Sequence, residues 1–280
     1  MTDKIDLHMH SARSDGTLTP KELAAACAEA GLRAAAITDH DSMEGAEEFV
    51  SECEALGIEG IAGVEISAKY KHELHIVGLY VGGADMSAKL ERIREGRKLR
   101  NIEMVKKLRE GGFYITMADA CSFSTDSTPD TIGRVHIAKA LVEKGYAASV
   151  DEVFSTMIGR GMPYYVKRFS LTPEESISLI KNCGGAAVWA HPVYTEDTEE
   201  ALEAMAKRLK DAGLDAMECL YSRYSDAQTD MCMRIAKRTG LLISGGSDFH
   251  GENKPDVKIG TVNGGCVPYG LLEKIKERIR

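Results

Sequence analysis

Thr19-Pro20-Lys21-Glu22 and Thr172-Pro173-Glu174-Glu175 are two copies of one helix-starting device. In each, the threonine hydroxyl is placed to accept from the glutamate's backbone N–H. The glutamate side chain reaches back to the threonine N–H, and proline takes the first helical position, where no N–H is needed. Each helix leads by a short link into a short apolar run bounded by polar residues, Ala34-Ala35-Ala36-Ile37 in the first case and 186–190 in the second. Runs of that length between turn signals read as buried strands. The alternation continues. A helix over 43–56 precedes a strand over 58–64 that ends in Glu65-Ile66-Ser67, and 75–80 is another strand. Helix 198–212, strand 215–221, helix 225–239 and strand 241–245 complete the series. Strand then helix, repeated with short links, predicts an α/β fold with a parallel sheet, and this many units close into a barrel.

The middle of the chain departs from that rhythm. Residues 99–166 carry mainly helical patterns, among them 137–142 and 150–158, around a loop rich in Ser, Thr, Asp and Pro at 122–131. The reading is a barrel domain from 1–98 and 167–280 that holds an inserted helical subdomain over 99–166.

Composition narrows the class. A chain of 280 residues can bury a full core as one α/β domain with an insertion. No apolar run reaches membrane-spanning length. The first ten residues enter a strand without the layout of a signal peptide. The seven cysteines are scattered, odd in number and free of CxxC pairs, which points to reduced thiols in the cytoplasm. The net charge of −8 speaks against a duplex nucleic-acid surface.

The chemistry lies in the eight histidines. His8, His10, His40, His191 and His250 fall at or just past the ends of proposed strands, and His75 begins or lies within one. Asp15, Glu65 and Asp248 accompany them. A lone histidine at a strand end is an ordinary capping group. In a parallel barrel, however, all strand C-termini share one rim, so these residues converge without further assumption. His8 and His10 are two apart, and in extended backbone both rings point to one side, a good chelate for a divalent ion. Mixed imidazole and carboxylate donors suit Mn, Fe or Zn better than Mg or Ca. Ser11 and Ser67 lack the elbow context of a serine nucleophile and read as local hydrogen-bonding residues.

Five ordered motifs now form a pattern: His8-Met9-His10-Ser11 with Asp15-Gly16, Thr38-Asp39-His40-Asp41, Gly63-Val64-Glu65-Ile66-Ser67, Ala190-His191-Pro192, and Gly246-Ser247-Asp248-Phe249-His250-Gly251. Together they resemble the PHP (polymerase and histidinol phosphatase) family over nearly the whole chain. The segment Gly133-Arg134-Val135-His136-Ile137-Ala138 with its helical insertion resembles the branch acting on nucleotide phosphates; the family usually has proline where this chain has Val135. The resemblance implies a distorted seven-stranded barrel with two to three divalent ions. His8, His10, Glu65 and Asp248 would hold one, Glu65, His75 and His191 a second with Glu65 bridging, and Asp15, His40 and His250 a third. Three such ions against three carboxylates leave roughly +3 in the pocket, which attracts phosphate oxyanions. A bridging water held by the metal ligands would then attack phosphorus, with no side-chain nucleophile.

Arg134, which precedes a helix, is the expected grip on a substrate phosphate, with His136 assisting and Lys167 and Arg168 lining the cleft where the chain returns to the barrel. Arg97, Arg100 and Asn101 lie on a charged helix that reads at least as well as a solvated face. His72 is expected at the surface. Asp39 and Asp41 are expected to orient His40 and cap the next helix. The expected activity is hydrolysis of phosphomonoesters of nucleotides: nucleoside bisphosphates, mononucleotides or the 5′ ends of short oligoribonucleotides. The alternatives are a phosphatase on a small phosphate such as histidinol phosphate and a non-catalytic metal-binding module.

Overall fold

Both threonine capping boxes form. Thr19 N donates to Glu22 Oε2 at 2.8 Å, Glu22 N donates to Thr19 Oγ1 at 3.3 Å, and helix α1 (Pro20–Glu29) follows with Leu23, Ala24 and Cys27 buried along one stripe. Thr172 and Glu175 repeat the exchange at the head of α7 (Pro173–Asn182). Each such cap contributes about 1 kcal/mol. The structure, a computed structural model, describes residues 3–123 and 128–279. The Ser/Thr-rich loop expected over 122–131 therefore falls partly, at 124–127, outside the described residues, as do the first two residues of the strand expected at the N-terminus.

The chain divides into two compact units, Met1–Lys89 with Leu171–Arg280, and Leu90–Ser170. The second unit begins earlier and ends later than the 99–166 expected. The earlier start lies within α3 (Ala84–Glu110), a single uninterrupted helix of 27 residues.

In the first unit the strands are β1 (Lys4–Asp6), β2 (Ala34–Ile37), β3 (Glu59–Ser67), β4 (His75–Leu79), β5 (Ala186–Ala190), β6 (Ala216–Tyr221), β7 (Leu242–Gly246) and β8 (Val267–Pro268). Helices α1, α2 (Ala46–Ala55), α7, α8 (Glu199–Asp211), α9 (Asp226–Thr239) and α10 (Tyr269–Lys276) accompany them. The sheet order is β7-β6-β5-β4-β3-β2-β1-β8. The barrel-like sheet has eight strands where seven were expected, the extra one being β8, two residues that pair antiparallel with β1.

The seam is closed above β8. Leu7 N donates to Gly245 O (3.3 Å), Asp248 N to His8 O (2.8 Å) and His10 N to Phe249 O (2.9 Å). Period-two alternation sorts the walls: Ala34, Ala36 and Val188 belong to the barrel-filling cluster, while Ala35 and Ile37 join Leu23 and Phe49 under α1 and α2.

The expectation of an all-parallel sheet needs correction. β4 runs antiparallel to both β3 and β5. The link between β3 and β4, residues 68–74, is too short for a crossover helix, and a hairpin is the remaining solution. The start of β4 thus lies level with the ends of its neighbours: His75 pairs in register with Ser67 and with Ala190.

The second unit continues α3 and adds α4 (Met117–Cys121), α5 (Arg134–Glu143), α6 (Val150–Val153) and one π-turn at Phe154–Ile158. Its own core includes Met104, Leu108, Ile132, Ile137, Leu141 and Val153. Among the described residues, no helix of the protein is long and apolar enough to cross a membrane.

Candidate metal centre

The residues singled out in the barrel unit meet at one rim. The segment leaving β1 carries His8 and His10, the turn after β2 carries His40, β3 carries Glu65, β4 starts with His75, β5 is followed by His191, and β7 by Asp248 and His250. Two close approaches make this possible. A Cβ at Gly246 would lie 2.6 Å from His8 N, and one at Gly16 would lie 2.3 Å from His10 O, so only glycine allows these segments to touch. Two of the residues sit in left-handed backbone, His191 at φ 29° and Asp248 at φ 55°. For non-glycine residues such strain gathers at functional sites.

Glu65 stands at the middle. Its Oε1 lies 2.9 Å from His75 Nδ1, 3.0 Å from His191 Nε2 and 3.4 Å from His8 Nε2. Its Oε2 lies 3.0 Å from His40 Nδ1 and 3.2 Å from His10 Nε2. Asp248 Oδ1 faces His250 Nδ1 (3.3 Å), His10 Nε2 (3.4 Å) and His8 Nε2 (3.7 Å). Asp15 faces His250 Nε2 at 3.2 Å and His40 Nε2 at 3.7 Å. The structure thus brings together all nine expected residues. They fall into donor groups His8/His10/Asp248, His8/Glu65/His191, His40/Glu65/His75 and His10/Asp15/His40/His250.

The donors fit a divalent transition ion on a test internal to the fold. His8 Nε2, His10 Nε2 and His40 Nδ1 are buried and make no hydrogen bond, although each faces a carboxylate. A buried polar atom without a hydrogen bond is costly and calls for another partner. The electrostatics agree. Burial works against ionised Glu65, but His40, His75 and His8 outweigh it and hold the carboxyl well below its ordinary range. Asp248, opposed by burial and held by His250, His8, His10 and Lys254, behaves likewise, as does Asp15 beside His250 and His40. Burial opposes charge on His10 too, yet Asp248 and Glu65 lift it to about 9.

Several residues at the rim were not foreseen. Glu218 of β6 is buried and contacts His8. Asp6, also buried, accepts from the backbone N–H groups of His8 (3.3 Å), Ser247 (2.9 Å) and Gly260 (2.6 Å), tying both ligand-bearing segments to the end of β1. Tyr221 OH (2.6 Å) and Lys254 Nζ (2.5 Å) donate to Asp248 Oδ2, which leaves Oδ1 turned toward the imidazoles. Exposed Glu73 lies 3.8 Å from His191 Nδ1. For Glu218 the missed signal was a single charge within an otherwise uncharged strand.

Other expectations are adjusted. Asp39 accepts from Ser11 Oγ (2.7 Å) and Ser14 Oγ (2.6 Å), bracing the loop after β1, and Asp41 accepts from Ser67 N (3.0 Å). Neither caps α2, whose N-cap is Gly45. His72 is exposed, as expected.

The expected phosphate residues lie in the second unit. Arg134 is the first residue of α5, its guanidinium 5.3 Å from the Phe154 ring and 5.8 Å from that of Tyr165. His136 Nδ1 accepts from Gly133 N at 2.9 Å, so this ring caps the same helix. Lys167 is exposed and Arg168 half-buried. The solvated-face reading of Arg97, Arg100 and Asn101 is overturned: they are 8%, 7% and 0% exposed. Asn101 Nδ2 donates to Pro129 O and Ile132 O, a structural clamp. Burial, then the charges of Arg97, Arg168 and Arg134, push the Arg100 guanidinium well below its usual range. Four arginines therefore share one neighbourhood, and Arg97 and Arg100 continue the buried stripe of Met86, Leu90, Ile93, Met104 and Leu108 along α3.

A barrel whose rim carries such a donor set defines a metal-dependent hydrolase. Comparison with known proteins makes the class specific. Residues 6–162 match the PHP domain. The chain is 34% identical over 258 residues to the 3′,5′-nucleoside bisphosphate phosphatase of Chromobacterium violaceum, covering 90% of each. It is 33% identical over 253 residues to the 5′-3′ exoribonuclease of Haemophilus influenzae, covering 89% of this chain and 91% of that one. It matches a solved structure described as an amidohydrolase from Chromobacterium violaceum with bound sulfate and no metal, at a TM-score of 0.85 and 31% identity, over 99% of this chain and 97% of that chain. The chain belongs to the PHP family.

Proposed function

We propose that the rim residues hold two to three divalent transition ions, Mn, Fe or Zn, and that the protein hydrolyses phosphomonoesters of nucleotides: nucleoside bisphosphates, mononucleotides or the 5′ ends of short oligoribonucleotides. The observation that carries the reading is Glu65, a single carboxylate within 3.4 Å of five imidazoles at a barrel rim. His8, His10, Glu65 and Asp248 would hold one ion, Glu65, His75 and His191 a second, and Asp15, His40 and His250 a third. Bound there, the ions supply an activated water and Lewis-acid stabilisation of charge on the phosphoryl oxygens.

The chain's own groups then have defined tasks. Tyr221 and Lys254 occupy one oxygen of Asp248 and so direct the other toward the histidines. The hydroxyls of Ser11 and Ser14 donate to Asp39 and are committed to the loop, and that of Tyr221 donates to Asp248, which fits a mechanism without a side-chain nucleophile. Arg134 and Arg168, joined by Arg97 and Arg100, make a phosphate-binding group, with His136 and Lys167 in support. The nucleotide class is also that named for the two sequence relatives. Seven free cysteines accord with action in the cytoplasm.

The test is phosphate release by Mn-loaded protein from nucleoside 3′,5′-bisphosphates, mononucleotides, 5′-phosphorylated short RNAs, histidinol phosphate and sugar phosphates. Turnover is expected on the nucleotides. Activity on histidinol phosphate or sugar phosphates with none on any nucleotide would overturn the substrate reading.

A further inference from the structure

We propose that Glu218 is a positioning residue that couples two metal positions, fixing the ring of His8 and the backbone of His191 with the two oxygens of one carboxylate. The inference rests on the metal assignment above and not on the identity of the substrate.

Glu218 lies in Ala216-Met217-Glu218-Cys219-Leu220-Tyr221, a strand of otherwise uncharged side chains, and it is 2% exposed. A carboxylate survives there only if both oxygens are engaged. They are. His8 Nδ1 lies 3.1 Å from Oε1, and His191 N donates to Oε2 at 2.6 Å. A bulge between Glu218 and Leu220 in the pairing with β7 re-aims the strand at this point.

Each contact sets one donor. With Nδ1–H committed to Glu218, the His8 ring presents Nε2, the buried atom without a hydrogen bond that faces Glu65 and Asp248. A carboxylate on the far nitrogen of a ligand histidine fixes its tautomer and orientation. For His191 the hold is on the main chain. The β5–β6 ladder pairs Val188 with Ala216 and Trp189 with Met217 and goes no further. Beyond it the His191 N–H passes to the Glu218 side chain, and the backbone turns to φ 29°, ψ 56°. That strained turn aims His191 Nε2 at Glu65 Oε1, 3.0 Å away. His8 belongs both to the group with His10 and Asp248 and to the group with Glu65 and His191, so a change at Glu218 reaches two groups at once.

Glu218→Gln is the decisive variant, because an amide offers one acceptor where the carboxylate offers two. Wild type and variant are loaded with Co(II), and affinities are measured by chelator competition alongside visible absorption and circular dichroism. The expected result is a 10- to 100-fold loss of affinity at two positions, with shifted Co(II) bands. Should the variant be unfolded without metal, titration with Zn(II) reads the same affinity through recovered ellipticity. Wild-type affinity and an unchanged Co(II) spectrum in Glu218→Gln overturn the coupling, and so does weakening confined to a single ion. A wild-type protein that takes up no Co(II) or Zn(II) overturns the metal assignment and the proposal with it, whereas failure on every nucleotide leaves these binding readouts intact.

Discussion

His75 meets Glu65 diagonally across the β3–β4 hairpin: the register partner of Glu65 is Val77, and His75, two residues before it, sets Nδ1 2.9 Å from Glu65 Oε1. Diagonal neighbours on one face of an antiparallel pair lie within reach of long side chains. The same carboxylate serves four further histidines from three other segments, so one substitution should be felt at more than one ion. Glu65→Gln is expected to lower bound metal by more than one ion per chain, read by elemental analysis of the purified variant. Wild-type metal content in that variant would falsify the bridging role.

Asp248→Asn tests chemistry against folding. Asparagine tolerates the left-handed backbone that Asp248 adopts, so the turn should persist. Turnover is expected to fall on the order of 10²–10³-fold, as when a preorganised electrostatic group is lost. The far-ultraviolet spectrum and Tm should stay near native, since a rim site is not the core. Global unfolding of this variant would make the cluster structural.

Gly246→Ala probes the seam. Its methyl would meet His8 Cβ at 2.4 Å and His8 N at 2.6 Å. Overpacking of this kind costs about 1–3 kcal/mol. A lower Tm accompanied by weaker metal binding is the expected pair of results; a melting curve matching wild type would show that the seam yields freely.

Glu59 gives a pH signature away from the rim. It accepts from Tyr80 OH (2.6 Å), Tyr269 OH (2.8 Å) and Lys276 Nζ (2.8 Å). Burial raises its pKa, but Lys276, Tyr80 and Tyr269 outweigh this and leave it below the ordinary value. A depressed folded pKa means the stabilisation is complete above the unfolded value of about 4.3 and is lost as pH falls through the lower folded one. Glu59→Gln should therefore cost about 1 kcal/mol at neutral pH, discounted for solvent screening. Calorimetry should show the two proteins converging in acid; a constant gap down to pH 3 contradicts the assignment.

Arg134→Ala addresses recognition. Charge-assisted bonds contribute on the order of 1.5–3 kcal/mol, or about ten- to hundredfold. kcat/KM on the best nucleotide should fall by that factor with metal content unchanged, and a small generic phosphomonoester should lose much less. Equal loss on both would place Arg134 at the scissile phosphate; no loss on either would remove it from recognition.

Most of the rim residues were legible because strand ends are marked by turn chemistry and because a barrel sends those ends to one place, whereas His75, at the start of β4, reaches the rim through the reversal of that strand. Thr19 and Thr172 announced their helices for the same local reason. What escaped depended on long-range partners. Glu218 and Asp6 look like misplaced charges in strands until His8, His191, Ser247 and Gly260 come to them from elsewhere in the chain. β8 has two residues and no pattern to read. The reversal of β4 was within reach, since seven linking residues cannot hold a crossover. Arg97 and Arg100 were missed because their charge outweighed their place in the apolar stripe Met86, Leu90, Ile93, Met104 and Leu108, which is buried.

The seam that closes the barrel joins segments 241 residues apart, as Ser247 N to Asp6 Oδ1 shows. His8 and His10 leave the ribosome early, yet their carboxylate neighbour Asp248 and the glycine that admits them emerge near the far end of the chain. During synthesis the early histidines can offer an ion no more than a partial set of donors. Loop closure over that span comes late in folding, after the local strand–helix units have formed. Were ions to take the full donor set, they would do so only after the segments around β1 and β7 had met, and so would mark finished folding.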